Sequence, residues 1–100
     1  MQSNLTYIEA RIIRAVLRRA MGKQYTVSVY DSVDAEGEYT VKRSRDVPTI
    51  MAALATTGGD ILVIRDANGG KLGTITLIYN GDDSVIADHT DNAAIGELCH

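Results

Sequence analysis

The densest set of groups able to do chemistry is Asp88-His89-Thr90-Asp91, with Asp82 and Asp83 a few residues upstream. A hard cation wants several converging oxygens, and a transition metal would accept His89 together with carboxylates. At most, such a cluster would be the centre of a metal-dependent hydrolase. Its spacing fits neither an EF-hand loop nor an HExxH helix, and Asp and Asn are ordinary turn and cap residues. Turn and capping roles are therefore expected, and no metal or other cofactor is called for. The stretch 67–73, ANGGKLG, has the glycines of a phosphate loop, but it runs into a strand where a P-loop opens a helix. Cys99 and His100 stand at the chain's end, and His89 is the other imidazole. A nucleophile with a base and an orienting group has no support there. An enzyme is not expected.

Charge offers more than catalysis does. Arg11, Arg14 and Arg18 recur at helical spacing along one side, and Lys42, Arg43 and Arg45 form a second basic group. Together they suit contact with phosphates or with an acidic protein. The bland reading is a solvated face. A net charge of −3 and the lack of a basic motif interleaved with aromatics weigh against duplex nucleic acid as the partner. The opposite idea uses Asp60, Asp66, Asp82, Asp83, Asp88 and Asp91 as a mimic of phosphate spacing. Of these, Asp82, Asp83, Asp88 and Asp91 make the alternative acidic face.

The elements that must position these groups are legible from periodicity. Thr6 and Glu9 have capping-box spacing, with Ser3 as a second candidate start. Ile8, Ile12, Val16 and Ala20 then recur every four residues, widened by Ile13 and Leu17, up to a stop at Gly22. The arginines fall on the opposite side. Residues 24–31 alternate, with Tyr25, Val27 and Val29 inward and Thr26, Ser28 and Tyr30 outward. After an acidic connection at 32–37, residues 38–43 pair back, with Tyr39 and Val41 inward and Thr40 and Lys42 outward. A second helix starts at Asp46, tolerates Pro48 in its first turn, and runs to Gly58-Gly59.

The stretch 59–81 is the strongest signal in the chain. Two apolar, largely β-branched runs, 61–64 and 74–79, flank Asp-Ala-Asn-Gly-Gly, which supplies the positive-φ residues of a reversal. Residues 84–87 suggest a short further strand, and Asp91 or Asn92 a cap for a last helical segment through Leu98. The order α-β-β-α-β-β predicts an α+β domain, an antiparallel sheet of four or five strands with helices on one face. Its core should include Ile12, Val16, Val27, Val41, Leu54, Val63, Ile75 and Leu77. The other face is left open to water or a partner.

Composition bounds the rest. One hundred residues make one domain, and 45% hydrophobic residues fit an ordered globule. With five Tyr and no Phe or Trp, the core is aliphatic. One cysteine excludes an intrachain disulfide and a cysteine-clustered zinc site. No apolar run approaches a membrane span, and arginines interrupt what a signal peptide would need, so a soluble, cytoplasmic protein is expected. Charge is graded: residues 1–23 carry five basic groups against one acidic, and residues 46–100 two against eight.

Taken together, EYTVKRSRD (38–46), ILVIRDANGGKLGTITLIYNGDD (61–83) and VIADHTDN (85–92) resemble a group of small bacteriophage and prophage accessory proteins. In that group a Y/W-T-V-K-R-S segment precedes a helix, a strand with R-D leads to a glycine-containing turn, and I/V-x-D-x-T-x-N closes the chain. The resemblance covers roughly residues 25–92 and leaves out the first helix. It implies a phage accessory gene product and transfers no activity. The expectation is a non-enzymatic binding protein that inhibits a host protein or ribonucleoprotein, such as a CRISPR-type defence complex. The alternative is a small structural or assembly protein of the phage particle, or an oligomer-forming accessory subunit.

Overall fold

Strand β1 (Thr26–Asp31) sits inside a five-stranded sheet, between β2 (Tyr39–Ser44) and β3 (Gly59–Arg65). The sheet continues through β4 (Lys71–Ile78) to β5 (Ile86–His89), in the order β2-β1-β3-β4-β5, and every neighbouring pair is antiparallel. Three helices complete the α+β domain: α1 (Tyr7–Gly22), α2 (Val47–Ala52) and α3 (Ala93–Cys99). The computed structural model describes residues 5–31, 39–55 and 58–99. The alternative helix start at Ser3, the connection at 32–37 and His100 lie outside the described residues.

One apolar cluster joins the helices to one sheet face. Ile13, Val16, Leu17 and Ala20 of α1 meet Ile50 and Met51 of α2, Ile95 and Leu98 of α3, and Val27, Val29, Leu62, Ile64, Ile75 and Leu77 of the strands. Each fully buried aliphatic side chain contributes about 1.5–3 kcal/mol relative to exposure, so this cluster dominates stability. Leu54 and Val85 close it. Val63 is also buried but lies outside the cluster. It alternates with Leu62 and Ile64, so it belongs to the opposite face. Ile12 and Val41, expected in the core, are half-buried at its margin.

Local chemistry explains most element ends. Thr6 and Glu9 form the capping box: the Glu9 N–H donates to Thr6 Oγ1 at 3.2 Å, and the Thr6 N–H donates to Glu9 Oε1 at 3.1 Å. The left-handed residue after α1 is Gln24 (φ 63), two residues past Gly22. Between β3 and β4, the N–H groups of Asn68 and Gly70 donate to Asp66 Oδ1, both at 2.9 Å, and Gly69 takes φ 87. Asn92 Oδ1 accepts the Ile95 N–H at 2.8 Å and caps α3. The α3 segment packs close to β4 at Gly73, where a Cβ would stand 2.7 Å from Thr90 and 2.8 Å from Ile95.

Strands β1 and β4 start at Thr26 and Lys71, a few residues from the expected positions, and two further boundaries differ for reasons the contacts show. Helix α2 ends at Ala52, six residues short of Gly58. Ala55 takes φ 59, and its N–H donates to buried Asp60 Oδ2 at 3.0 Å, which ends the helix early. Asp46 is the N-cap, but its carboxylate accepts the Thr49 hydroxyl rather than a backbone N–H. The last strand begins at Ile86 and takes in Asp88 and His89, because pairing with Leu77, Thr76 and Ile75 sets its register. Those two residues are therefore strand residues and not turn residues.

Candidate partner-binding face

The rotation of α1 decides which residues it shows to the outside. Its buried line is Glu9, Ile13, Val16, Leu17 and Ala20. Glu9 is 1% exposed because its Oε2 also accepts the Gly81 N–H at 2.9 Å, from the loop between β4 and β5. With Glu9 turned inward, Ile8 is turned out to 48% exposure, which corrects its expected place in the core stripe. Tyr7, in the same first turn, is 79% exposed.

Tyr7, Arg11, Arg14 and Arg18 follow one another at spacings of four, three and four residues, one continuous helix face. Arg11 and Arg18 are exposed and Arg14 is half-buried. Beside this stripe runs a groove of about 490 Å³, floored by Ile8, Ile12, Ala15 and Val16 and rimmed by Arg11, Arg19, Asp83 and Cys99. Its far wall is fastened to α1. Arg19 donates through Nη1 to the Leu98 carbonyl at 2.8 Å, and Lys23 pairs with Glu97 at 2.5 Å. That pair raises the lysine pKa and lowers the glutamate pKa, in both cases chiefly through their mutual hydrogen bond. Burial pushes the Cys99 thiol up against the smaller opposing effect of Arg19, so Cys99 is not primed as a thiolate.

The second basic group stands elsewhere. Lys42, Arg43 and Arg45 are exposed on and just after β2, an edge strand of the sheet. The Arg43 N–H donates to Ser28 Oγ at 2.9 Å. Ser28 alternates with core residues Val27 and Val29, so this contact lies on the face away from the helices. Arg43 is thus tied to the sheet face away from the helices, while the arginine stripe of α1 lies on the helix layer. Charges and a bulge on an edge strand also protect it against pairing with other chains.

The wider set of aspartates is not all available to a partner. Asp60 is 1% exposed, and its Oδ2 accepts the Tyr79 hydroxyl at 2.5 Å. Burial and this bond drive the Tyr79 phenol far above its ordinary pKa. Asp66 is committed to its turn. Asp82 Oδ1 accepts the Ser84 N–H at 3.0 Å and the Ser84 hydroxyl, which lowers its pKa. Asp83 lines the α1 groove, so part of the acidic face adjoins the basic stripe. Asp88 accepts the His89 N–H, and Asp91 is exposed just before α3. Among the described residues no three His, Cys, Asp or Glu side chains converge to hold a metal ion.

Sequence reasoning missed Tyr7, although its helical spacing from Arg11 was visible. It could not find Ile8 and Ile12 as groove floor, since which flank of the apolar stripe stays uncovered depends on how α1 docks in the fold. Among the described residues no helix is long and apolar enough to cross a membrane. No protein-family model, curated protein or solved structure matches the chain.

Proposed function

We propose that the chain is a non-enzymatic binding protein, a phage accessory product that inhibits a host macromolecule by docking on it through α1. The observation that carries this reading is the Tyr7-Arg11-Arg14-Arg18 stripe beside a groove floored by exposed Ile8 and half-buried Ile12. Tyr and Arg are the residues most enriched at binding hot spots, and an apolar centre with a polar rim is how interfaces are built. Charge complementarity selects the occupant: an acidic, amphipathic segment of a host protein, bare or within a ribonucleoprotein. Its apolar residues fill the groove, and its carboxylates meet Arg11, Arg14 and Arg18. A defence complex of the CRISPR-effector kind is the target class that the phage resemblance suggests.

The test compares the tagged protein with its Arg11→Glu/Arg18→Glu variant in pull-downs from host lysate, followed by binding measurements on the purified partner. A stoichiometric complex formed by the wild type and lost in the variant supports docking through α1. Capture that is indifferent to the reversal overturns the site. Self-assembly, or capture of virion proteins alone, replaces the inhibitor with an assembly subunit.

A further inference from the structure

Between Val27↔Ser44 and Val29↔Val41, β1 advances two residues while β2 advances three, so β2 carries one extra residue. Such a bulge re-aims a side chain. Here Arg43 takes φ 49, a left-handed conformation that L side chains rarely adopt, and Ser28 Oγ holds its N–H. The result is that its guanidinium reaches the turn between β3 and β4, with Nη1 4.0 Å from where a Cβ on Gly69 would stand. Arg65 arrives at the same turn from β3, donating through Nη1 to the Gly69 carbonyl at 3.3 Å. Its Nε is buried and has no hydrogen-bond partner among the described residues. The nearest carboxylate in sequence, Asp66, spends Oδ1 on the N–H groups of Asn68 and Gly70. Among the described residues neither arginine makes an ion pair. Two like charges have been brought to one turn, one of them on left-handed backbone, and among the described residues no carboxylate bridges them.

We propose that Arg43 and Arg65 form a binding site for a phosphoryl group at the β3–β4 turn, on the sheet face away from α1. Two guanidinium forks suit a tetrahedral oxyanion, which has more acceptor oxygens than a single carboxylate offers. Arg43 is the exposed member, and a shift of its long side chain admits the anion against the buried edge of Arg65. There the unpartnered Nε–H gains an acceptor. The site is independent of docking through α1, and either can fail without the other.

The probe is inorganic pyrophosphate, titrated at low salt into the 15N-labelled full chain. The Arg65 Nε–H and the Gly69 amide should shift together and saturate. Arg43→Gln should weaken that binding about tenfold or more, whereas Arg45→Gln should leave it intact. Arg65→Lys keeps the charge and loses the fork, so it should weaken binding as strongly. Should that variant unfold, Arg43→Gln alone carries the test, since its side chain is exposed. Shifts that do not saturate, that survive Arg43→Gln, or that centre on the arginines of α1 overturn the site. A short oligothymidylate then identifies the source among outcomes that support it. Competition with pyrophosphate at the Arg65 Nε–H assigns the group to a nucleic-acid backbone, and no competition assigns it to a small phosphorylated molecule.

Discussion

Glu9 and Gly81, 72 residues apart, are joined by a hydrogen bond of 2.9 Å from the Gly81 N–H to Glu9 Oε2. One carboxylate thereby caps α1 and anchors the loop between β4 and β5. Glu9 lies on the buried line of α1 with Ile13, Val16, Leu17 and Ala20, the rotation that leaves Ile8 facing outward. Glu9→Ala removes the cap and leaves the Gly81 N–H without its partner. Loss of a cap alone costs about 0.5–2 kcal/mol, and an orphaned, partly buried donor adds about 1 or more. Urea denaturation should show a clear fall in midpoint, and an unmoved midpoint would refute the anchoring role.

The exposure of Ile8 sets up a contrast with Leu77, which is 1% exposed. Leu77→Ala should cost about 2–4 kcal/mol, the transfer term plus the cavity. Ile8→Ala should cost within about 0.5 kcal/mol, as surface substitutions usually do. Comparable losses for the two would mean that α1 does not turn Ile8 outward.

Arg11 and Arg18 are the cleanest probes of docking, because Arg14 is half-buried and its reversal mixes binding with packing. Arg11→Glu/Arg18→Glu should leave the melting temperature nearly unmoved, since exposed charges contribute about 0–1 kcal/mol. Affinity for the partner should fall well beyond tenfold, because losing charge pairs that binding desolvates costs about 2–5 kcal/mol. The mirror test is Asp82→Lys/Asp83→Lys. If only the aspartate reversals impair binding, the partner is basic and phosphate mimicry replaces docking through the arginines.

Tyr79 and Asp60 make a pH-dependent contribution whose sign is set by the raised phenol pKa. The folded state holds the phenol proton more tightly than the unfolded chain does. The stabilisation is therefore fully present below about pH 10, the ordinary tyrosine value, and declines as pH rises past it. Tyr79→Phe should cost about 1–3 kcal/mol at neutral pH, the range for removing one partner from a buried acceptor. That deficit should shrink in urea melts taken above pH 10. A deficit that widens there would reverse the assignment of Tyr79 as the donor to Asp60.

What the chain decided by itself is what neighbours in sequence can decide. The reversal at 66–70 was legible because Asp66 and Gly69 make the turn from within it, between two runs that already favour strand. The Thr6–Glu9 box, the Asp46 start and the Asn92 cap were legible for the same reason: each works within about one helical turn. Alternation likewise identified Val27 and Leu77 as buried. Only the tertiary structure could decide the rest, because the deciding partner is distant in the chain. Periodicity places Ile8 in the apolar stripe of α1, but the docked helix buries Glu9 against the Gly81 N–H and leaves Ile8 outside. Asp60 counts as one more surface charge until Tyr79 and the Ala55 N–H surround it. The sequence shows Lys42, Arg43 and Arg45 as one basic group, yet an extra residue in β2 sends Arg43 to Gly69 and Arg65. Local preference chooses elements and their ends. Rotation, register and burial are chosen by contacts across the fold, whose strength depends on the desolvation and geometry that folding alone creates.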